Sequence, residues 1–413
     1  MIRPISISLS PNTEADDVRL AFGQIISFWK WRDRSPVLKL EKEFAERFGF
    51  SRAWSFNSGR SCLISILEAA GIGEGDEILV QAFTCNAVPN PILWQGAVPI
   101  YVDCLEEDFN MDAFDLERKV TPKSRAVIVQ HTFGEPADID RIRGVCERHN
   151  LLLIEDAAHA LGAEYKGRPV GSFGDAAFFS FSRDKVISSV YGGMVTAANP
   201  EIGERIAGIQ KRTKFPSLFW TVQQLFHPLL LNLMVLPVYG IGGKYLLVLF
   251  QVFHVLSKAV HRKEKQGGRP SYFPMRLPGP LARLALLQLS KLERMRVHRE
   301  QIAELYLREL KNTSFVLPRS FPERRSSRLR FPVRNKKAHE IIERAWGKNM
   351  LIGDWYTSPV APADTNLAKM RYEPGSCPVA EALSRETLNL PTHIRCSVLN
   401  AEAVVSFLKN YED

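Results

Sequence analysis

The chain has 413 residues, of which 45% are hydrophobic, so it can bury a large core and divide into two or three domains. Its net charge of +9 is typical of proteins that meet nucleic acid, anionic membranes or phosphorylated substrates. The sequence contains no helix-turn-helix, RNP or zinc-finger pattern. We therefore do not expect nucleic acid to be a partner.

The spacing of the cysteines and the N-terminal sequence indicate in which cellular compartment the protein is found. The cysteines form no CxxC pair, which argues against a metal site and a disulfide framework and favours a reducing compartment. The first 17 residues lack the apolar segment of a signal peptide. We therefore expect a cytoplasmic protein without a bound metal. The six cysteines are Cys62, Cys85, Cys104, Cys146, Cys377 and Cys396.

The first half of the chain alternates helical and strand patterns. Residues 37–48 have helical spacing, and the turn FNSGRS at residues 56–61 opens a predicted helix over residues 62–70. Such a turn is an anion site because free backbone N–H groups point out of the helix start. Residues 77–81, 98–102 and 126–130 are short buried strands with room for crossover helices between them. This alternation predicts a mostly parallel sheet covered by helices on both faces.

Two further apolar strands end close to chemically useful side chains. Residues 151–154 end in Glu155 and Asp156, and residues 176–181 are followed by Ser182, Arg183, Asp184 and Lys185. Open α/β sheets bind ligands at the carboxyl ends of their strands. Taken singly, an Asp after a strand is usually a helix cap, and a Lys there is usually a solvated turn residue.

Taken together, these side chains suit pyridoxal 5′-phosphate (PLP). That cofactor uses a lysine as its Schiff base, a carboxylate at its ring nitrogen and small donors around its phosphate. We assign these roles to Lys185, Asp156 and Ser180 respectively.

Several longer segments resemble the DegT/DnrJ/EryC1/StrS sugar aminotransferases, which are PLP enzymes of fold type I. The matching segments are FNSGRSCL at 56–63, GAVPIYVD at 96–103, IEDAAHALGAEYKGRPVGSFGDAAFFSF at 154–181 and LNLPTH at 388–393. Lys185 and the glycine pair at 192–193 follow at the family's interval. The resemblance covers most of residues 35–212 and 270–410.

The resemblance implies a role for each site residue. It places Gly59, Arg60 and Ser61 at the cofactor phosphate, and His159 near the cofactor's ring oxygen. It also implies a homodimer that uses glutamate to aminate a nucleotide-linked keto sugar. Lys185 argues against the family's dehydratase branch, which carries His at this position. A catalytically inactive sensor or scaffold is the remaining alternative.

Four positions depart from the family's pattern, and one of them is Tyr191, where many relatives carry Glu. Cys85 stands where many relatives carry an aromatic that stacks on the cofactor ring, and Phe83 is an uncertain substitute. Arg60 replaces a usual Thr, and either adds charge at the phosphate or points to water. Pro274 replaces an Asn that relatives contribute from the neighbouring subunit.

Residues 218–258 are an apolar insertion in which Lys244 is the sole Lys or Arg before Lys258. We expect Pro228, Pro237 and the glycines at 240–243 to break it into pieces too short to span a membrane. Two readings remain besides a spanning hairpin: a buried dimer element, and a hairpin lying on a membrane with the basic residues after it at the headgroups. The second reading adds peripheral contact with the inner face of the membrane and allows a lipid-linked sugar.

The predicted organisation has four parts. Residues 1–212 hold an N-terminal segment and the large PLP-binding domain, and residues 213–269 form the hydrophobic and basic insertion. Residues 270–310 contain a long linking helix over 281–308, and residues 311–413 form a small C-terminal α/β domain. We predict PLP-dependent transamination of a keto sugar in polysaccharide or glycoconjugate biosynthesis.

Overall fold

The structure is a computed structural model that describes residues 3–411. The helices are α1 Ala15–Ile26, α2 Ser35–Phe48, α3 Gly59–Ala69, α4 Pro89–Trp94, α5 Ala113–Lys119, α6 Ile139–His149, α7 Pro200–Arg212, α8 Leu218–Leu230, α9 Gly243–Val252, α10 Gly279–Ser290, α11 Leu292–Glu309, α12 Ala338–Gly347, α13 Pro378–Glu386 and α14 Val398–Lys409. The strands are β1 Ile5–Ser6, β2 Ala53–Phe56, β3 Glu77–Gln81, β4 Thr84–Cys85, β5 Val98–Val102, β6 Ser124–Gln130, β7 Leu152–Asp156, β8 Glu164–Tyr165, β9 Arg168–Pro169, β10 Ala176–Ser180, β11 Gly193–Ala197, β12 Arg324–Arg325, β13 Phe331–Arg334, β14 Met350–Leu351, β15 Val360–Ala361 and β16 Thr387–Leu390.

The central sheet has seven strands in the order β2-β11-β10-β7-β6-β3-β5. All neighbouring pairs are parallel except the two that involve β11, which runs opposite to β10 and β2. The predicted mostly parallel sheet is therefore confirmed. The strands predicted at 77–81 and 98–102 have those bounds in β3 and β5.

Helices cover both faces of this sheet because its inner strands are apolar on both sides. On one face, Ile78 and Val80 of β3 pack with α3 and α7. On the other face, Leu79 packs with α5 and α6. This alternation along β3 follows from the two-residue period of a strand, and it seals the sheet from water on both sides.

Strand β7 runs two residues further than its apolar pattern predicts. Glu155, expected beyond the strand, lies inside it with its side chain fully buried. Its carboxylate accepts hydrogen bonds from the backbone N–H groups of Gly171 at 2.8 Å, Phe173 at 2.7 Å and Gly174 at 2.8 Å. The loop before β10 thus satisfies the buried charge, which is how an acid can occupy a central strand.

The C-terminal region has its own apolar cluster, built from β13, β16, α11, α12 and α14. The predicted helix over residues 281–308 is wrong as a single element, because Lys291 separates α10 from α11. The ammonium of Lys291 is nearly buried and lies 3.0 Å from the Asp17 carboxylate of α1. The two helices therefore meet at an ionic anchor to the N-terminal segment.

The insertion is a helical hairpin, and the prediction that its prolines break it into short pieces is wrong. Helix α8 contains Pro228 and continues through a π-helix at Leu231–Val235 and a 3₁₀-helix at Leu236–Ile241. This 24-residue run is long and apolar enough to cross a membrane. Of its most apolar 18-residue stretch, however, 39% is buried inside the protein. Gly242 ends it with a φ of 155°, and α9 packs back against it.

We expect Glu155→Gln to destabilise the fold. A Gln side chain would lose the charge that three N–H groups bind and would bring an NH₂ group against a donor. Loss of one hydrogen bond to a charged group predicts a decrease of roughly 1.5–3 kcal/mol in the free energy of unfolding. Urea denaturation of the variant and of Glu147→Gln, an exposed acid on α6, would measure the difference. Equal midpoints for the two variants would contradict this role.

Candidate active site

A pocket with about 870 Å³ of empty space, part of it open to solvent, lies at the carboxyl edge of the central sheet. The ends of three parallel strands reach it: Gln130 of β6, Asp156 of β7 and Ser180 of β10. The start of α3 and the loop carrying Lys185 complete its floor. The sequence-predicted residues that line it are Gly59, Arg60, Cys85, Asp156, His159, Ser180 and Lys185.

Asp156 and Lys185 face this pocket together, and burial shifts both of their pKa values towards the neutral forms. Burial raises the pKa of Asp156 to about 6, although the nearby Lys185 opposes the shift. Burial likewise lowers the pKa of Lys185 to about 8, against the opposing effects of Cys85 and Asp156. The pocket therefore holds an amine that is neutral in a fraction of the molecules at physiological pH. Beside it lies a carboxyl group whose Oδ1 accepts one bond, from Ala158 N at 3.0 Å.

The start of α3 provides an anion cradle beside Ser180. Ser58 caps the helix by accepting from Ser61 N, and the preceding N–H groups of Gly59 and Arg60 have no helical partner. A Cβ on Gly59 would lie 3.2 Å from Ser180 Cβ, so a side chain there would crowd the cradle. The dipole of α3 adds a positive potential at this end.

Ser61, predicted at the cofactor phosphate, is not among the residues that line the pocket. Its hydroxyl donates to Asn57 Oδ1 at 2.6 Å and lies 3.1 Å from the Ser58 hydroxyl, so it braces the turn from behind. Ser58, one turn earlier, lines the pocket instead. A helix start exposes its cap and first N–H groups to a ligand, and that rule selects Ser58 over Ser61.

Arg60 points neither to water nor freely to the pocket. Its guanidinium forms a buried ion pair with Glu264, which lies at the end of the insertion, and it stacks 4.6 Å from the Phe273 ring centroid. Burial alone would lower the pKa of Arg60, but the Glu264 carboxylate more than offsets this effect and raises it. The prediction that Arg60 points to water is therefore wrong, because the insertion supplies a partner from 204 positions away. Arg60 also lines the pocket, so its contribution of charge at a phosphate stays a prediction.

His159 lies in a stack of aromatic rings at the pocket wall. Its ring is 5.2 Å from Trp355 in a near-parallel arrangement, and its Nδ1 accepts from Phe133 N at 3.3 Å. Burial, and then the Lys185 charge, lower its pKa well below the usual value, so it is neutral. The acceptor role of Nδ1 places the proton on Nε2, which can donate to Tyr356 Oη at 3.4 Å.

Trp355 also lines this pocket, although the sequence analysis did not predict it as a site residue. Its ring centroid lies 4.8 Å from Lys185 Nζ and 3.3 Å from the Arg330 guanidinium carbon, so two cations flank one aromatic ring. The adjacent aromatic residues Trp355 and Tyr356 in the loop after α12 are the sequence signal that could have found it. Tyr356 also lines the pocket.

Cys85 lines the pocket, and burial raises the pKa of its thiol. Phe83, considered as a substitute stacking residue, is turned into a separate aromatic cluster with Phe109, Phe133 and Tyr356. Its φ of 62° redirects the chain at the end of β3. Phe83 is not among the pocket-lining residues, whereas Trp355 and Tyr356 are.

The insertion closes the pocket from above with the segment 257–264, here called the strap. Ala259 and Val260 line the pocket directly. Arg183 Nη1 donates to Ser257 O at 2.6 Å, and Tyr191 Oη donates to Lys258 O at 2.9 Å. These bonds join the strap to the loops on either side of Lys185.

Fold and site together define an α/β protein whose carboxyl-edge pocket holds a buried lysine, a buried aspartate and a helix start. Residues 16–409 match the DegT/DnrJ/EryC1/StrS aminotransferase family, and the chain belongs to that family.

Two curated relatives show its place within the family. The chain is 41% identical over 170 residues to a GDP-perosamine synthase of Caulobacter vibrioides, covering 41% of this chain and 46% of the relative. It is 34% identical over 196 residues to a UDP-N-acetyl-3-dehydro-alpha-D-glucosamine 3-aminotransferase of Acidithiobacillus ferrooxidans, covering 47% of this chain and 53% of the relative. The matched segments thus span about half the length of these relatives.

Solved structures resemble the chain over nearly its whole length. DesV of S. venezuelae, in complex with a ketimine intermediate, is 25% identical with a TM-score of 0.75, covering 96% of this chain and 95% of that one. The putative sugar aminotransferase Spr1654 of Streptococcus pneumoniae, in its PMP form, is 21% identical with a TM-score of 0.77, covering 98% and 97%. The predicted fold class is therefore confirmed.

We expect Glu264→Ala to destabilise the protein, because it leaves the Arg60 charge buried without a partner. Breaking a buried pair from one side costs about 3–5 kcal/mol. Glu204→Ala removes an exposed partner of Arg52 and should change the stability by about 0–1 kcal/mol. Chemical denaturation of both variants without added cofactor measures the contrast. Similar losses for the two variants would show that the buried pair is no more stabilising than a surface pair.

Proposed function

We propose that the protein is a PLP-dependent aminotransferase that transfers an amino group to a keto sugar. One observation carries this proposal: Lys185 and Asp156 share a buried pocket with a free helix start. Family membership supports it, and so do relatives whose names are those of sugar aminotransferases.

The residues present fit the cofactor. The cradle formed by Ser58, Gly59 and Ser180 would hold its phosphate with hydroxyl and backbone N–H donors. Asp156 would hold the ring nitrogen, and Trp355 or His159 would offer a flat apolar surface to the ring. When bound, PLP supplies an aldehyde that condenses with amines and a ring that accepts electron density.

Lys185 is suited to move protons at this site. Its amine, with a pKa near 8, is neutral in a substantial fraction of molecules at physiological pH and so can act both as nucleophile and as general base. As a base, Nζ would take a proton from the carbon bearing the donor's amino group and return it to the carbon on the other side of that nitrogen, which is a 1,3-proton shift. After burial, the charge of Arg330, which lies 3.3 Å from the Trp355 ring centroid, also lowers the Lys185 pKa.

Asp156 is suited to remain negatively charged once a cationic ring nitrogen lies beside it. Burial raises its pKa, so the carboxylate is poorly solvated and binds a cation strongly. The backbone bond from Ala158 N fixes Oδ1 and with it the direction of the carboxyl group. Glutamate as the donor, and a nucleotide-linked or lipid-linked sugar as the acceptor, extend the proposal to the substrates. A homodimer, as the resemblance implies, extends it to the assembly.

The reactivity of Lys185 with PLP should depend on pH. Because the neutral amine reacts, the rate of cofactor loading should rise with pH and level off above about 8, rather than near the ordinary value for lysine. Stopped-flow absorbance of the apoprotein mixed with PLP measures this rate, and glutamate should then abolish the bound band.

Lys185→Ala should give no bound band at any pH while remaining folded. Lys258→Ala, on the exposed part of the strap, is the matched control and should load normally. A bound band in Lys185→Ala that borohydride abolishes, leaving the cofactor covalently attached, would assign the cofactor to another lysine. Normal loading by the wild type without any response to glutamate or another amino donor would favour the sensor or scaffold alternative.

Asp156→Asn should weaken PLP binding and slow transamination together. The substitution keeps the bond to Ala158 but removes the charge, and a charge-assisted hydrogen bond is worth roughly 1.5–3 kcal/mol. This corresponds to roughly ten- to hundredfold weaker binding. Cofactor titration and single-turnover absorbance measure the two effects. Unchanged values for both would remove Asp156 from the site.

A further inference from the structure

Helix α9 carries an apolar stripe that the chain leaves uncovered. Tyr245, Val248, Leu249, Val252 and Phe253 follow helical spacing and are between 49% and 69% exposed. The opposite face of α9 packs against the π-turn of the hairpin, so both sides of the helix are apolar. A surface helix of a folded domain normally presents charged residues on its outer side.

The apolar surface continues from the stripe onto the tip of the hairpin. Leu233, Met234, Val238 and Ile241 are exposed there. Contiguous apolar patches of this kind mark a surface that binds another apolar phase. We refer to α9 and this tip together as the apolar face.

The segment that carries the apolar face contains no acidic residue. From Ile206 to Lys263 there is no Asp or Glu. Five basic side chains in and beside it are exposed: Lys214, Lys244, Lys258, Arg262 and Lys263. Within residues 3–411, none of these five forms an ion pair with a carboxylate. The segment that carries the apolar face therefore contributes positive charge and no negative charge to its surroundings.

This charge pattern distinguishes between two partners that could cover the apolar face, a second copy of the chain and a lipid bilayer. In a two-fold dimer the same patch meets itself, so the apolar face and its basic border would face an identical basic border. Like charges brought together in this way oppose association. An anionic bilayer offers the complementary arrangement, with an apolar interior beneath a negatively charged surface.

We propose that the apolar face docks on an anionic lipid surface, with α9 lying in the plane of the bilayer and the basic border at the headgroups. Tyr245 and Phe253 lie at the two ends of the stripe, where aromatic rings are favoured at a membrane interface. The strap begins four residues beyond Phe253 and lines the pocket. Docking therefore places the mouth of the active site next to the lipid surface. This inference does not depend on the proposed transamination.

Flotation of the full-length protein with vesicles tests the proposal. Vesicles of phosphatidylcholine with added phosphatidylglycerol should carry the protein upward, whereas vesicles of phosphatidylcholine alone should carry less. The double variant Val248→Glu, Val252→Glu should reduce the floated fraction by about tenfold or more. Phe114→Glu and Leu399→Glu, at exposed apolar positions on α5 and α14, are matched controls and should float like the wild type.

Charge reversal tests the basic border separately. Lys258→Glu, Arg262→Glu and Lys263→Glu together should reduce flotation by about tenfold or more. Lys311→Glu, Lys336→Glu and Lys348→Glu make the same net change on another exposed surface and should have little effect. Thermal melting of each variant shows whether it is folded. Cofactor loading shows separately whether its active site still binds PLP.

Two results would overturn the proposal. One is wild-type protein that stays at the bottom of the gradient with anionic vesicles. The other is an α9 double variant that floats normally but changes from dimer to monomer in sedimentation, which would assign the apolar face to a second copy of the chain.

Discussion

Burial of ionisable groups at the carboxyl edge of the sheet is the constraint on which the rest of the site depends. A charge moved away from water is stable only with a partner or in its neutral form. Glu155 has three backbone donors, Arg60 has Glu264, and His159 is neutral. Asp156 and Lys185 have incomplete partners within the chain, so their pKa values shift instead. Ionisable groups with complete partners therefore stabilise the fold, whereas those with incomplete partners and shifted pKa values are the ones available for chemistry in this pocket.

Glycine at two positions allows these charges to converge. A Cβ at Gly193 would lie 2.8 Å from Gly59 N and 2.8 Å from Cys62 Sγ, so the start of α3 can approach β11 only at a glycine. This approach places the helix start beside Ser180, which pairs with Gly193 across β10 and β11. The cradle is thus a result of sheet register as much as of loop sequence.

The parts of the fold and site that sequence predicts are those determined by local pattern. β3 and β5 were predictable because apolar runs bounded by turns have few alternatives, and Asp156 and Lys185 were predictable because parallel strands end at one edge. The Arg60–Glu264 pair and the position of Trp355 depend on contacts between distant segments, which no local pattern encodes. Pro228 misled the helix prediction because a proline removes one backbone hydrogen bond without necessarily ending a helix, and α8 continues past it.

The buried pair between Arg60 and Glu264 constrains how these two residues can change during evolution. Neither residue is tolerable alone, since each would leave a buried charge, and they are joined through the strap rather than through the sheet. Evolution must therefore have acquired the insertion and the arginine together, or through an intermediate with a small neutral residue at position 60. Homologues should divide into two groups: those with an arginine here and an acid at the end of an insertion, and those with neither. Their two positions would covary as a unit although they lie 204 positions apart.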